Sequence, residues 1–159
     1  MIDLEEIKNQ LFSGKDVKEI FKDFNWKKFE ETIAEIFRNN EFTVKQNFRF
    51  KTKRRHEIDI VALRNGLVIC ADCKEWSAGR YKASALKKAV EEQESRVAEL
   101  KRFLKNNFVA QKMLKIKNTF LFMSLLVTLV EEDLAKQNTT FIVSLEKLNT
   151  FLLEIGNYT

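Results

Sequence analysis

The apolar positions change period along the chain, and the changes divide it into elements. Over residues 25–39, Trp26, Phe29, Ile33, Ile36 and Phe37 repeat at helical spacing, as one stripe of an amphipathic helix. Residues 42–50 alternate and predict a first strand. Two runs rich in Ile, Val and Leu follow, His56-Glu-Ile-Asp-Ile-Val-Ala-Leu63 and Leu67-Val-Ile-Cys-Ala-Asp-Cys-Lys74, and each predicts a short buried strand. Arg64-Asn65-Gly66 between them predicts a tight hairpin turn, because Asn and Gly accept positive φ. The helical period returns over 82–107, with Leu86, Val90, Gln93, Val97, Leu100 and Leu104 at near-heptad spacing. Residues 118–127 predict a fourth strand, Glu131 to Lys136 a short helix, Thr140 to Val143 a fifth strand, and Leu145 to Ile155 a closing helix. Two short helices, 3–11 and 16–23, precede all of this, with Ser13-Gly14 between them. The order predicts an α/β sandwich with a mixed central sheet flanked by helices. It divides into an N-terminal helical extension over 1–24 and a main domain over 25–159.

Composition narrows the class. A chain of 159 residues, 45% hydrophobic and 32% charged, is globular and large enough for a substantial core. The net charge of +5 is compatible with a polyanionic partner. The longest apolar stretch, Phe120 to Val130, is interrupted by Ser124 and Thr128 and falls well short of the ~20 residues of a membrane span. The acidic start, Met1-Ile-Asp-Leu-Glu-Glu, does not read as a signal peptide, so a cytoplasmic location is expected.

The chemistry lies in the charges inside the two apolar runs. Asp72 and Lys74 are two apart and share a strand face, and the hairpin brings Asp59 beside them. A buried carboxylate is expensive unless it is paired or holds a metal. Two carboxylates and one ammonium at one end of a sheet suit a divalent cation and a phosphate. The bland alternative is an internal salt bridge between Lys74 and one aspartate. Two polar residues also fall on apolar stripes. Glu30 shares the face of Trp26, Ile33 and Phe37, whereas Glu31 and Glu35 turn toward the polar side. Gln93 interrupts the stripe of the long helix, either as a satisfied core amide or as a functional group.

Cys70 and Cys73 form a Cys-x-x-Cys pair, but no second pair exists and His56 is the only histidine. Cysteine and histidine alone therefore cannot fill a four-ligand zinc site. Within a strand the two thiols point to opposite faces, so both are expected to be ordinary buried residues. Lys45, Arg49, Lys51, Lys53, Arg54 and Arg55 cluster with no acidic residue between Phe42 and His56, and Arg80, Lys82, Lys87 and Lys88 follow the candidate site. Such groups neutralise phosphates without reading sequence. His56 lies on the strand parity opposite Asp59 and is expected to face solvent; Glu57 shares the parity of Asp59.

Together these segments resemble the PD-(D/E)xK nuclease superfamily, with its restriction-endonuclease-like three-layer fold, and within it Mrr-type restriction nucleases and archaeal Holliday-junction resolvases. The resemblance covers about residues 25–155. Trp26-Lys-Lys-Phe-Glu-Glu-Thr-Ile-Ala-Glu-Ile-Phe37 with Asn40-Glu-Phe-Thr-Val44 looks like the first helix and strand of that group. Glu57-Ile-Asp-Ile-Val61 looks like the first acidic motif, and Asp72-Cys-Lys74 like the D-x-K half. Phe120-Leu-Phe-Met, Glu131-Glu-Asp-Leu-Ala135 and Phe141-Ile-Val-Ser-Leu-Glu-Lys-Leu148 look like the Mrr-type closing elements. Ile58 stands where the motif's name has proline, and Asp72 where these relatives more often carry Glu. The resemblance implies DNA phosphodiester hydrolysis with Mg²⁺ or Mn²⁺. It implies a cation held by Asp59, Asp72, the Cys73 carbonyl and Glu30, with Glu57 in reserve. Lys74 would position or deprotonate the water, and Gln93 would orient substrate or Lys74. Relatives often act as homodimers. A non-catalytic nucleic-acid-binding domain on the same fold is the alternative.

Overall fold

The structure is a computed structural model, and it describes residues 6, 9–10, 13–15, 26–74, 83–116, 120–129 and 135–157. The first helix, α1 (Trp26–Asn39), ends on local chemistry. The Phe42 N–H reaches the Phe37 carbonyl at 3.1 Å and the Glu41 N–H the Arg38 carbonyl at 3.0 Å. Glu41 takes φ 67°, so a non-glycine residue fills the left-handed position of a Schellman-type stop. The rings of Phe37 and Phe42 meet edge to face across it, 5.5 Å between centroids. Asn40 Nδ2 donates to the Ile36 carbonyl at 2.8 Å and to Asn149 Oδ1 at 2.9 Å, tying this stop to the last helix.

The strands β1 (Thr43–Lys51), β2 (Arg55–Arg64) and β3 (Leu67–Lys74) form an antiparallel meander. Asn65 at φ 48° and Gly66 at φ 82° make the two-residue turn that the Asn-Gly pair predicts. The long helix α2 (Ala83–Lys105) returns the chain, and β4 (Leu121–Thr128) lies parallel to β3. After the two-residue β5 (Lys136–Gln137), β6 (Thr140–Ser144) lies parallel to β4 and leads directly into α4 (Leu145–Leu153). The sheet order is β1-β2-β3-β4-β6-β5. One face packs under α1 and α4 through Phe29, Ile33, Phe37, Leu148 and Leu152, which meet Ile60, Ile69, Ala71, Cys73 and Leu125. The other packs under α2 through Leu100 and Leu104, which meet Ile58, Val61, Val68 and Cys70. The three-layer α/β arrangement with a mixed sheet is thus the observed one, and it sets the carboxyl end of β3 between the layers that hold α1 and α2.

Four local differences from the sequence reading have physical causes. The long helix stops at Lys105, because Asn107 caps a separate short helix, α3 (Phe108–Met113), accepting from the Ala110 N–H at 3.0 Å. Lys136 is in a strand, paired across a turn with Phe141, and not at the end of a helix. Residues 131–134 of the predicted 131–136 helix, most of the 3–11 helix and all of the 16–23 helix lie outside the described residues. Strand β4 starts at Leu121, where the Leu121 N–H meets the Gly66 carbonyl at 2.8 Å. The fourth difference is a break in alternation. Ile58 belongs to the α2-side core but Ile60 to the α1-side core, and on β1 the same switch falls between Phe48 and Val44. The residues between, Asp59 and Asn47, are absent from an otherwise continuous register, and Asn47 has φ 51°. Both strands turn over at one point, and Asp59 is at it. Among the described residues no helix is long and apolar enough to cross a membrane.

Candidate active site

The β2–β3 register pairs Ile60 with Ala71, so the next step along the ladder sets Asp59 beside Asp72. Asp59 is half-buried, and its Oδ2 accepts the Cys73 N–H at 2.9 Å. Burial is the main force on it and pushes its carboxyl up to about 7. The Cys73 N–H works the other way, while the charges of Asp72 and Glu30 add to the rise. Glu30, on α1, therefore stands near enough to share the field of this centre. Glu31 and Glu35 are on the same helix and also half-buried, but Glu35 is committed to Arg38 at 2.5 Å.

Asp72 is 6% exposed. Lys74 Nζ lies 3.2 Å from its Oδ2, and an Arg96 terminal nitrogen 3.5 Å from its Oδ1. Oδ2 is buried without an aligned hydrogen bond, so Lys74 acts on it as a neighbouring charge. The internal salt bridge foreseen as the bland alternative is therefore present, but inside a larger group of charges. Gln93 is fully buried on α2. Its Nε2 donates to the Cys70 carbonyl at 2.9 Å, and its Oε1 accepts from Arg96 Nε at 2.9 Å. The amide is satisfied, and through Arg96 it serves Asp72. Sequence reasoning misses Arg96. Its signal is its position three residues after Gln93, on the same helix face.

The cysteines separate as expected. Cys70 lies in the α2-side core and Cys73 in the α1-side core. Both are free. Burial pushes the Cys70 thiol up to about 12. Burial and the charges of Asp59, Asp72 and Glu30 push Cys73 well above the usual thiol range. Both are held as thiols, and their places in separate cores keep the two sulfurs from sharing one ligand.

The basic residues divide. Lys51, Lys53, Arg54 and Arg55 stand exposed around the bend between β1 and β2, which the Thr52 N–H closes on the Arg54 carbonyl at 3.0 Å. Arg49 is taken by Glu57, Nε to Oε2 at 2.7 Å. Lys45 does not join this group, because strand length separates it. It lines an open cavity of about 690 Å³ at the opposite end of the hairpin, with Arg64, Asn65 and Lys115. Lys87 and Lys88 are exposed on α2, and Arg80 and Lys82 lie outside the described residues. An open groove of about 680 Å³ runs between the basic bend and α2, lined by Arg54, Arg55, Lys88, Ser95 and Arg96 with Glu57, Glu91 and Glu92.

His56 is a correction. It does not face solvent. Its ring stacks on Phe50 at 5.0 Å, and Nε2 lies 2.9 Å from Thr52 Oγ1 and 3.8 Å from Glu99 of α2. Its parity puts it on the face that the long helix covers, which alternation along one strand cannot reveal.

The fold and this centre define a class, restriction-endonuclease-like α/β nuclease domains. Residues 15–128 match the family described as NERD, nuclease-related domain, and the chain belongs to that family. An uncharacterized protein of Archaeoglobus fulgidus is 31% identical over 134 residues, covering 84% of this chain and 93% of that one. A solved structure of a protein of unknown function, AF1548, is 17% identical at a TM-score of 0.47, covering 81% of this chain. The chain spans 66% of that protein's length.

Proposed function

We propose that this domain is a metal-dependent DNA endonuclease hydrolysing phosphodiester bonds, of the restriction, repair or junction-resolving kind seen in Mrr-type enzymes. One observation carries the reading. The half-buried Asp59 carboxyl is pushed up to about 7 beside a second carboxylate, Asp72, whose buried Oδ2 lacks an aligned hydrogen bond. A hard divalent cation relieves both conditions, since oxygen ligands and local negative charge are what Mg²⁺ and Mn²⁺ select. Among the described residues no cluster of three or more His, Cys, Asp or Glu groups stands ready-made. The fit rests on the chemistry of the donors: Asp59 and Asp72 would hold the cation, with the Cys73 carbonyl, Glu30, water and substrate oxygens as further ligands. When bound, the cation supplies charge to the phosphoryl oxygen and acidifies water. Lys74, at the strand end beside Asp72, positions the attacking water and offsets charge developing on the phosphate. Gln93 fixes Arg96 against Asp72. The basic bend holds the DNA backbone.

The second reading is a non-catalytic nucleic-acid-binding domain. It is favoured by Asp72 already having Lys74 and Arg96 beside it. Incubation with supercoiled plasmid, branched DNA and single-stranded DNA, with and without Mg²⁺, separates the two. The nuclease reading expects Mg²⁺-dependent cleavage of at least one substrate, abolished by Asp59→Asn and Asp72→Asn. Binding without cleavage, unchanged in both variants, would favour the second.

A further inference from the structure

Arg96 stands between two environments. On one side it is 3.5 Å from Asp72 Oδ1. On the other it lines the open groove with Arg54, Arg55 and Lys88. Its Nε is fixed by the Gln93 amide, itself pinned to the Cys70 carbonyl of β3. The guanidinium is therefore anchored at Nε, while its terminal nitrogens reach either way. A guanidinium beside a carboxylate occupies the electrostatic position that a divalent cation would take, and it repels that cation. A guanidinium is also a strong phosphate donor, able to hold two oxygens at once. Much of the rest of the groove is committed: Glu57 to Arg49 at 2.7 Å, and Glu92 to Lys88 at 3.9 Å. Arg54 and Arg55 line it beside Arg96, and Glu91 adds one carboxylate.

Resting on the nuclease reading, we propose that Arg96 is an exchangeable positioning residue. It compensates Asp72 when the centre holds no cation, and it passes to a nucleic-acid phosphate in the groove when a cation takes Asp72. The groove then receives one strand's backbone beside the scissile bond, and cation binding and phosphate binding reinforce each other through one side chain. Because that coupling is a free energy, it is reciprocal.

Calcium, which takes similar oxygen ligands, gives the test without cleavage. Calorimetric Ca²⁺ titration and anisotropy of a labelled single-stranded 12-mer are run on the parent, Arg96→Gln and Arg96→Lys. One unit charge at this distance, screened as in water, is worth on the order of a fivefold change in affinity. Arg96→Gln is therefore expected to bind Ca²⁺ about fivefold more tightly. Its affinity for the oligonucleotide should fall in Ca²⁺ but equal the parent's without it. Arg96→Lys, which keeps the charge, should hold the parent's Ca²⁺ affinity and lose only oligonucleotide binding. Unchanged or weaker Ca²⁺ binding in Arg96→Gln, with a lowered Tm, would make Arg96 a brace between α2 and β3 and overturn the inference. A parent that binds no Ca²⁺ at all would instead remove the nuclease reading on which it rests.

Discussion

One strand, β3, carries two interleaved pairs of chemically capable residues, Cys70 with Cys73 and Asp72 with Lys74, and the pairs meet different surroundings. Cys70 and Cys73 each sink into a separate apolar core, three residues apart and therefore on opposite faces. Burial holds both thiols protonated, and neither can reach a common ligand. Asp72 and Lys74, two residues apart, share a face at the strand's carboxyl end. There the cores give way to Asp59, Gln93 and Arg96. Burial alone does not make a site, since Asp72 is as buried as many core residues. The difference lies in what each side chain meets. Asp72 has Lys74 and Arg96 beside it. The thiols sit in apolar cores, and it is their backbone groups that meet polar partners, the Cys70 carbonyl accepting from Gln93 and the Cys73 N–H donating to Asp59.

The largest effect should come from removing the carboxylate of the charged pair. Asp72→Asn is expected to weaken Ca²⁺ binding at least tenfold and to lower Mg²⁺-dependent cleavage by roughly a hundredfold or more, as loss of a transition-state-stabilising group does. Calorimetry and plasmid nicking measure the two. Full cleavage by this variant would mean that the charged pair is no different in kind from the cysteine pair.

Asp59 gives the next effect, through pH. Its folded carboxyl titrates near 7 against an ordinary 3.8. The folded form therefore binds the proton more tightly than the unfolded chain. The corresponding stability is complete below about 4 and is lost as pH rises through 7, in the absence of divalent cation. Asp59→Asn keeps an acceptor for the Cys73 N–H and cannot ionise. At pH 8 in EDTA the variant should be more stable than the parent by on the order of 1–3 kcal/mol, after allowing for water access. That advantage should vanish near pH 4. Urea unfolding across this range checks the sign, and an advantage largest at low pH would contradict it.

The cysteine side chains should respond as packing alone. Cys70→Ala is expected to lower stability by about 1 kcal/mol, at the small end of large-to-small core changes, with cleavage unchanged. Metal analysis should find no stoichiometric zinc in the parent. One zinc per chain would contradict the separation of the two thiols.

The smallest effect on folding lies at the basic bend. Neutralising Lys51, Lys53 and Arg54 together should leave stability within ~0.5 kcal/mol. DNA affinity should fall, and its salt dependence should shrink by roughly 0.9 for each phosphate that is no longer neutralised. An unchanged salt slope would place the DNA elsewhere.

Much of this arrangement is legible in the sequence because it rests on local signals. The 3.6-residue stripe from Phe29 to Phe37, the Asn65-Gly66 turn and the Ile/Val runs are short-range patterns. Once the hairpin is drawn, its register brings Asp59 to Asp72 without further information. What is not legible depends on neighbours distant in sequence. Alternation assumes that a strand keeps its faces, but β1 and β2 turn over together at Asn47 and Asp59. Alternation also leaves His56 exposed, because the helix that covers it starts more than twenty residues later. Proximity in sequence groups Lys45 with the bend, although six strand residues at ~3.3 Å each carry it to the other end of the hairpin. Arg96 is hidden among the many charges of α2, and only the Gln93 amide and Asp72 single it out.

Lys74→Ala tests the central claim most directly, because it removes a charge from the site without removing a carboxylate. The measurement is the rate of Mg²⁺-dependent nicking of supercoiled plasmid by this variant and by the parent, at matched Tm. The account predicts that the parent nicks, that Lys74→Ala is slower by roughly a hundredfold or more, and that its Ca²⁺ affinity holds or rises. A parent that does not nick, together with a large fall in Tm on replacing Lys74, would show instead an internal ion pair that braces the sheet.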